Sequence, residues 1–181
     1  MTSGLSMNYE EAYGQLHETS EKRFGGYSTK VSVHKICELV DRIKPARILD
    51  YGSGKGYQYL ERRIHEQWGG ILPYCYDVGV RALRVMPEGK FGGIICNDVM
   101  EHIECDDVPE ILEQIFLKAE KKAFVFFRIG LTIAKKNKRL PDGRNVHVCL
   151  RPEQWWAGKM KRFRRDGLVI SVTYDDKIRL K

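Results

Sequence analysis

What this chain lacks narrows its class first. No apolar run approaches the roughly eighteen residues that a membrane-spanning helix needs, so no span is expected. The opening residues, Met1 to Met7, hold no basic segment followed by an apolar stretch, so no secretory leader is expected, and Met7 could itself serve as a start. The cysteines are scattered and lack paired spacing. The five residues (Cys37, Cys75, Cys96, Cys105 and Cys149) are odd in number and include no C-x-x-C pair. That pattern speaks against a disulfide framework and a structural zinc centre, and for a reducing, cytoplasmic compartment. No H-E-x-x-H stretch or run of clustered ligand residues occurs, so no metal is expected. Internal repeats and low-complexity segments are also missing.

What is present fits a single domain, 1–181, with one sizeable core. Of its 181 residues, 43% are hydrophobic and 30% charged, an ordinary balance for a globular chain. The net charge is +7, and much of the excess lies in Lys135–Arg139 and Lys159–Arg165. Such clusters attract phosphates, nucleic acid or an acidic partner, and equally serve as solvated surface.

Two helices are expected at residues 7–18 and 31–43, the second carrying Val33, Ile36, Leu39, Val40 and Ile43 as one buried stripe. They would form an N-terminal cap or lid spanning residues 1–45. Between them, Phe24 to Thr29 reads as a glycine-bearing loop, and Pro45 stops the second helix. Short apolar strands then alternate with helices: strands at Arg47–Leu49, Ile71–Tyr76, Gly93–Cys96 and Ala123–Phe127, helices at Tyr59–Gln67 and Val108–Glu120. This alternation predicts a mostly parallel open sheet with helices on both faces. At the end, Leu168–Tyr174, Asp175-Asp176 and Lys177–Leu180 read as an antiparallel hairpin on the sheet edge.

The densest signal is Ile48-Leu49-Asp50-Tyr51-Gly52-Ser53-Gly54-Lys55-Gly56, an acid at a strand end followed by three alternate glycines. Glycine permits positive φ and lets a ligand approach the backbone closely, at the strand ends where open α/β sheets bind ligands. The same pattern also serves as a plain strand-to-helix turn. The spacing departs from the dinucleotide fingerprint G-x-G-x-x-G, and no Ser or Thr follows Lys55 as a phosphate loop requires.

D-x-G-x-G-x-G after an apolar strand resembles the first motif of class I S-adenosylmethionine-dependent methyltransferases. Two more stretches resemble that family in the right order. Tyr74-Cys75-Tyr76-Asp77 ends a strand in an acid, and Asn97-Asp98-Val99-Met100-Glu101-His102-Ile103 is similar to the family's fourth-strand segment, commonly DVLEHI. The similarity runs from about Ala46 to Phe127 and implies a Rossmann-like α/β fold with S-adenosylmethionine as cofactor. It further implies that Asp50, Gly52, Ser53 and Gly54 hold the amino-acid end of the cofactor and Asp77 the ribose hydroxyls, with Asp98 beside them. The short stretch from Asp77 to Phe91 leaves the family's third strand and its adenine-contacting acid unplaced.

For the acceptor half, His102 follows the fourth strand directly and reads either as a catalytic base or as a packing residue. Asp98 and Glu101 serve structure or acceptor binding. Farther on, Leu140-Pro-Asp-Gly-Arg144-Asn-Val-His147 precedes a helix opened by Arg151-Pro152-Glu153. His147 is the second catalytic candidate there. Arg144 offers a forked donor for carboxylate or phosphate. Trp155 is a substrate-binding candidate from the helix, with core packing as the other reading for it and for Trp156, and Tyr27 joins the acceptor side from the N-terminal loop. No N-P-P-Y tetrapeptide follows the fourth strand and no Cys follows a Pro, which disfavours methylation of nucleobase amino groups and of cytosine carbon. The function expected is methyl transfer to a small or conjugated acceptor. A cofactor-binding regulator of the same fold and a nucleic-acid-directed enzyme are the alternatives.

Overall fold

The computed structural model describes residues 9–18, 25–134, 138–140 and 142–175. Helices α1 (Tyr9–Glu18) and α2 (Val33–Ile43) precede strand β1 (Ile48–Tyr51), and a single 3-10 turn at Ser28–Val31 leads into α2. Lys44 takes a left-handed conformation (φ 54°), its N–H bonds to the Val40 carbonyl, and Pro45 prevents continuation. The chain then runs through α3 (Tyr57–Leu60), β2 (Tyr74–Tyr76), β3 (Phe91–Asn97), α4 (Val108–Leu117), β4 (Ala119–Gly130), α5 (Glu153–Lys161) and β5 (Leu168–Asp175).

The five strands form one sheet in the order β2-β1-β3-β4-β5, and every pairing is parallel. Parallel strands need crossovers that cover both faces, and side chains alternate accordingly. Ile95, Phe124 and Phe126 meet Ile36, Leu39, Val40 and Ile43 of α2. Their neighbours Ile94, Cys96, Val125, Phe127 and Ile129 face Leu112, Ile115 and Phe116 of α4 and Trp156 and Met160 of α5. A third cluster joins Tyr13 and Leu16 of α1 to Ala134, Leu140 and Val146.

Several sequence expectations change. The antiparallel edge is corrected: β5 pairs parallel with β4 from Ala123↔Leu168 to Gly130↔Asp175, and the expected return strand at 177–180 lies outside the described residues. The helix expected over Tyr59–Gln67 breaks into α3 and a 3-10 turn at Ile64–Trp68, with Arg63 left-handed at φ 48°. Tyr59 and Ile64 are both buried yet five positions apart, off a straight helical stripe, so the break lets each reach the core. Helix α4 ends at Leu117 instead of Glu120, because Ala119 already pairs with Phe91 in the sheet. Residues 77–90 carry only a 3-10 turn at Arg81–Leu83 and no strand. Residues 135–137 of the first basic cluster, Phe24 and Pro141 lie outside the described residues.

Candidate active site

The C-terminal ends of β1, β3 and β4 open on a common rim. After β1, Gly52 has φ 77°, and a Cβ built there would fall 2.3 Å from Cγ2 of Val99. Glycine is therefore required by packing as well as by conformation. The turn's amides are spent internally: Gly52 and Ser53 N–H donate to the Tyr76 carbonyl (2.7 and 3.1 Å), and Gly56 N–H to the Ser53 carbonyl (3.3 Å). Gly54 N–H donates to Asp77 Oδ2 at 2.8 Å, and Asp77 Oδ1 accepts from Gly79 N–H at 2.9 Å. A turn with these N–H groups committed is not an anion nest, in contrast to phosphate loops. Ser53 is buried, and its hydroxyl donates to the Gly54 carbonyl at 3.1 Å.

Asp50 points inward and is 2% exposed. Oδ2 accepts from the Tyr59 hydroxyl (2.7 Å) and from Gln58 Nε2 (3.2 Å). Gln58 in turn bonds both the Thr29 hydroxyl (2.9 Å) and its N–H (3.2 Å), tying the N-terminal segment to β1. Burial pushes the Asp50 carboxyl up to about 7, against the opposing pull of the Tyr59 hydrogen bond. The loop before this segment lies on the turn itself: a Cβ on Gly26 (φ 76°) would stand 2.0 Å from the Ser53 carbonyl oxygen. Tyr27 donates its hydroxyl to the Glu61 carboxylate, and the Arg62 guanidinium stacks on its ring at 4.5 Å. Tyr27 thus sits over α3.

At the end of β3, Asp98 is left-handed (φ 55°) and ion-paired to Arg128, which also holds Asp175. Burial raises the Asp98 carboxyl, and the Arg128 charge opposes it. The next residues build a polar cluster. The His102 Nδ1–H donates to the Val146 carbonyl at 2.9 Å, and the His147 Nδ1–H donates to the Thr132 carbonyl at 2.6 Å. A carbonyl only accepts, so each ring carries its proton on Nδ1 and keeps a lone pair on Nε2. The rings meet edge to face with centroids 4.8 Å apart. Burial drives His102 down to about 3, helped by the neighbouring His147, and burial likewise lowers His147. Burial thus favours the neutral ring at both positions.

Glu101 stands beside them, 1% exposed. Oε1 accepts from Gly130 N–H at 2.9 Å, while Oε2 is buried with no hydrogen-bond partner among the described residues. Burial pushes this carboxyl up to about 8. Its carbonyl receives Val148 and Cys149 N–H (2.9 and 3.1 Å), and a Cys105–Cys149 disulfide crosses the same gap. The sequence pattern speaks against a disulfide framework, and this single bond joins residues 44 apart in sequence because the loops after β3 and β4 leave neighbouring strands. From above, the Tyr13 ring meets His102 edge-on, and its hydroxyl donates to the His102 carbonyl at 3.3 Å.

The structure therefore gathers His102 and His147, which the sequence had only named separately. It places Asp77 and the glycine turn together, and turns Asp50 and Asp98 toward protein partners. Arg144 is exposed and paired with Glu104 and Asp142, both at 2.7 Å, fastening its loop to the segment after His102. Trp155 packs edge-on against the buried Trp156 and joins the main core. Missed from sequence were Gln58 and Tyr59 as the partners of Asp50, the disulfide, and Asn97, whose carboxamide is buried with neither atom paired among the described residues. An Asn at the end of an apolar strand was the available signal.

A family described as a methyltransferase domain matches residues 27–163, and the chain belongs to that family. Membership makes it a methyltransferase, and the family generally uses S-adenosylmethionine. No curated protein matches the chain.

Proposed function

We propose that this methyltransferase transfers the methyl group of S-adenosylmethionine to a small or conjugated acceptor, with donor and acceptor aligned for in-line displacement on the rim of β1, β3 and β4. One observation carries the reading. Val99, two residues before Glu101 and three before His102, packs on Gly52, so the turn proposed for the donor and the Glu101–His102 segment stand side by side.

The residues suit this cofactor. The turn spends its N–H groups internally and is flanked by the Asp77 carboxylate, which favours hydroxyl and ammonium donors over phosphates. Asp77 is the ribose-hydroxyl acceptor in this proposal, and the Asn97 carboxamide at the end of β3, without a partner among the described residues, offers a further donor and acceptor. Asp50 acts by position: its bonds to Tyr59 and Gln58 hold the turn's base in place. When bound, S-adenosylmethionine supplies a sulfonium-activated methyl group. The protein's task is then to orient the acceptor, exclude water and accept or relay its proton.

His102 and His147 are the groups proposed to face the acceptor, each neutral with a lone pair on Nε2. Helix α1, laid over His102 through Tyr13, shields them, and the N-terminal segment as a whole is the proposed cap. Arg144, Tyr27 and Trp155 act at a distance in this scheme, Arg144 by fastening the loop that carries His147. Of the second basic cluster, Arg162 is paired with Glu113 and Arg165 bonds the Ala119 and Glu120 carbonyls, which leaves less charge for a nucleic-acid partner.

The test uses methyl-labelled S-adenosylmethionine and a fractionated cell extract. Label should pass into one acceptor fraction with the native chain. His147→Ala should abolish that transfer while S-adenosylhomocysteine affinity stays within about threefold. Label transfer undiminished by His147→Ala would refute the acceptor half of the proposal.

A further inference from the structure

We propose that Glu101, His102 and His147 form a binding site for one divalent transition-metal ion, zinc or cobalt being the best matched, placed on the acceptor side of the rim. One donor atom from each residue lies within 4.8 Å of those of the other two, close enough for a single ion to draw them together. The chemistry of the three is complementary. Two neutral imidazoles and a carboxylate are a borderline donor set that suits zinc and its neighbours and leaves a coordination position open.

Three independent features of the surroundings agree. Each imidazole donates Nδ1–H to a backbone carbonyl, Val146 for His102 and Thr132 for His147. That outer hydrogen bond is the arrangement that fixes ring orientation and points Nε2 at a metal. Glu101 Oε2 is buried without a partner among the described residues, a polar atom whose burial is costly unless a cation or a hydrogen-bond partner meets it. Finally, the two ligand-bearing segments are fastened to each other. The disulfide joins Cys105 to Cys149, three residues past His102 and two past His147, and Glu101 receives the Val148 and Cys149 N–H groups. Such a preformed cage loses little freedom when an ion enters.

The charged groups acting on the trio are Asp98 and its ion-pair partner Arg128, which both act on Glu101, and Lys138, whose charge reaches both rings. None supplies Glu101 with a counter-charge at contact. An ion here rests on the proposed function for its role and sharpens it: its open position faces the acceptor, and the acceptor class it selects carries a hydroxyl or carboxylate oxygen.

The experiment is a titration of chelator-treated, refolding-free native chain with cobalt(II), followed by visible absorption, and with zinc(II), followed by calorimetry. One equivalent should bind with a dissociation constant of about a micromolar or tighter, with the ligand-field bands of a low-coordinate nitrogen–oxygen site. His102→Ala, His147→Ala and the isosteric Glu101→Gln should each weaken binding by at least about tenfold. His34→Ala, which removes an exposed histidine elsewhere, should change nothing. Absence of stoichiometric binding by the native chain, or binding that survives all three site variants, overturns the metal site. S-adenosylhomocysteine affinity, measured on the same samples, separates the two ideas: intact nucleoside binding without metal binding rejects only the ion, whereas metal binding without nucleoside binding rejects the methyl-transfer assignment.

Discussion

Asp77 and Asp50 are both strand-end acids, and their environments assign them different work. Asp77 is half-buried on the rim and clasps Gly54 and Gly79 through both oxygens. In the proposed function Asp77 accepts from the ribose hydroxyls; removing such a charged acceptor should cost about 1.5–3 kcal/mol, so Asp77→Ala should weaken S-adenosylhomocysteine roughly ten- to hundredfold in calorimetry with the fold retained. Asp50 is sealed inside, and its carboxyl rises from 3.8 to about 7. A folded value above the unfolded one means that the folded state binds the proton more tightly. The stability this group provides is complete below about pH 4 and is lost as pH rises to about 7. Asp50→Asn keeps acceptor contact with Tyr59 without the charge, so its stability relative to the native chain should improve across that window, by roughly 2–4 kcal/mol at most. Thermal melts of both proteins from pH 4 to pH 8 would show it; parallel curves would remove Asp50 as the cause. Sequence alone pointed both acids at the cofactor, Asp50 at its amino-acid end and Asp77 at the ribose, because neither Tyr59 nor Gln58 announces that it will turn toward β1.

At the scale of elements, the glycine turn is clamped from outside by the loop at Gly26. With a left-handed φ and the Ser53 carbonyl oxygen in the path of any Cβ, Gly26→Ala should lift that loop off the turn, costing about 1–3 kcal/mol and weakening cofactor binding along with stability. An unchanged melting temperature and affinity would show that the loop does not depend on this contact. The disulfide acts on a different pair of elements. It closes a chain separation of 44, so Cys105→Ser with Cys149→Ser should remove about 2–4 kcal/mol, seen as a fall in melting temperature of roughly 5–15 °C. The motif-bearing strands β1 and β3 were legible because parallel strands buried on both faces read as apolar runs ending in the chemistry, and the edge strand β2 because its short run ends in Asp77. The broken helix at Arg63 and the direction of β5 were not: a local break answers tertiary burial of Tyr59 and Ile64, and strand direction is set by the long crossover through α5, which leaves no local pattern. The meeting of His102 with His147 was equally hidden, since it depends on two loops from adjacent strands.

For the whole molecule, five parallel strands between two cores deliver the glycine turn, Asp77 and the histidine pair to the same rim, and α1 folds back over the pair. The overall charge of +7 does not by itself assign the function; in the proposed function cofactor choice rests on the turn and Asp77. The central claim is that this rim takes a nucleoside sulfonium donor and no phosphate-bearing cofactor. Isothermal calorimetry of the native chain against S-adenosylhomocysteine, NAD and ATP tests it most directly. One equivalent of S-adenosylhomocysteine should bind, with NAD and ATP at least about tenfold weaker because the turn has few N–H groups left for phosphate. Equal or tighter binding of NAD or ATP, or no binding of S-adenosylhomocysteine, would contradict the account.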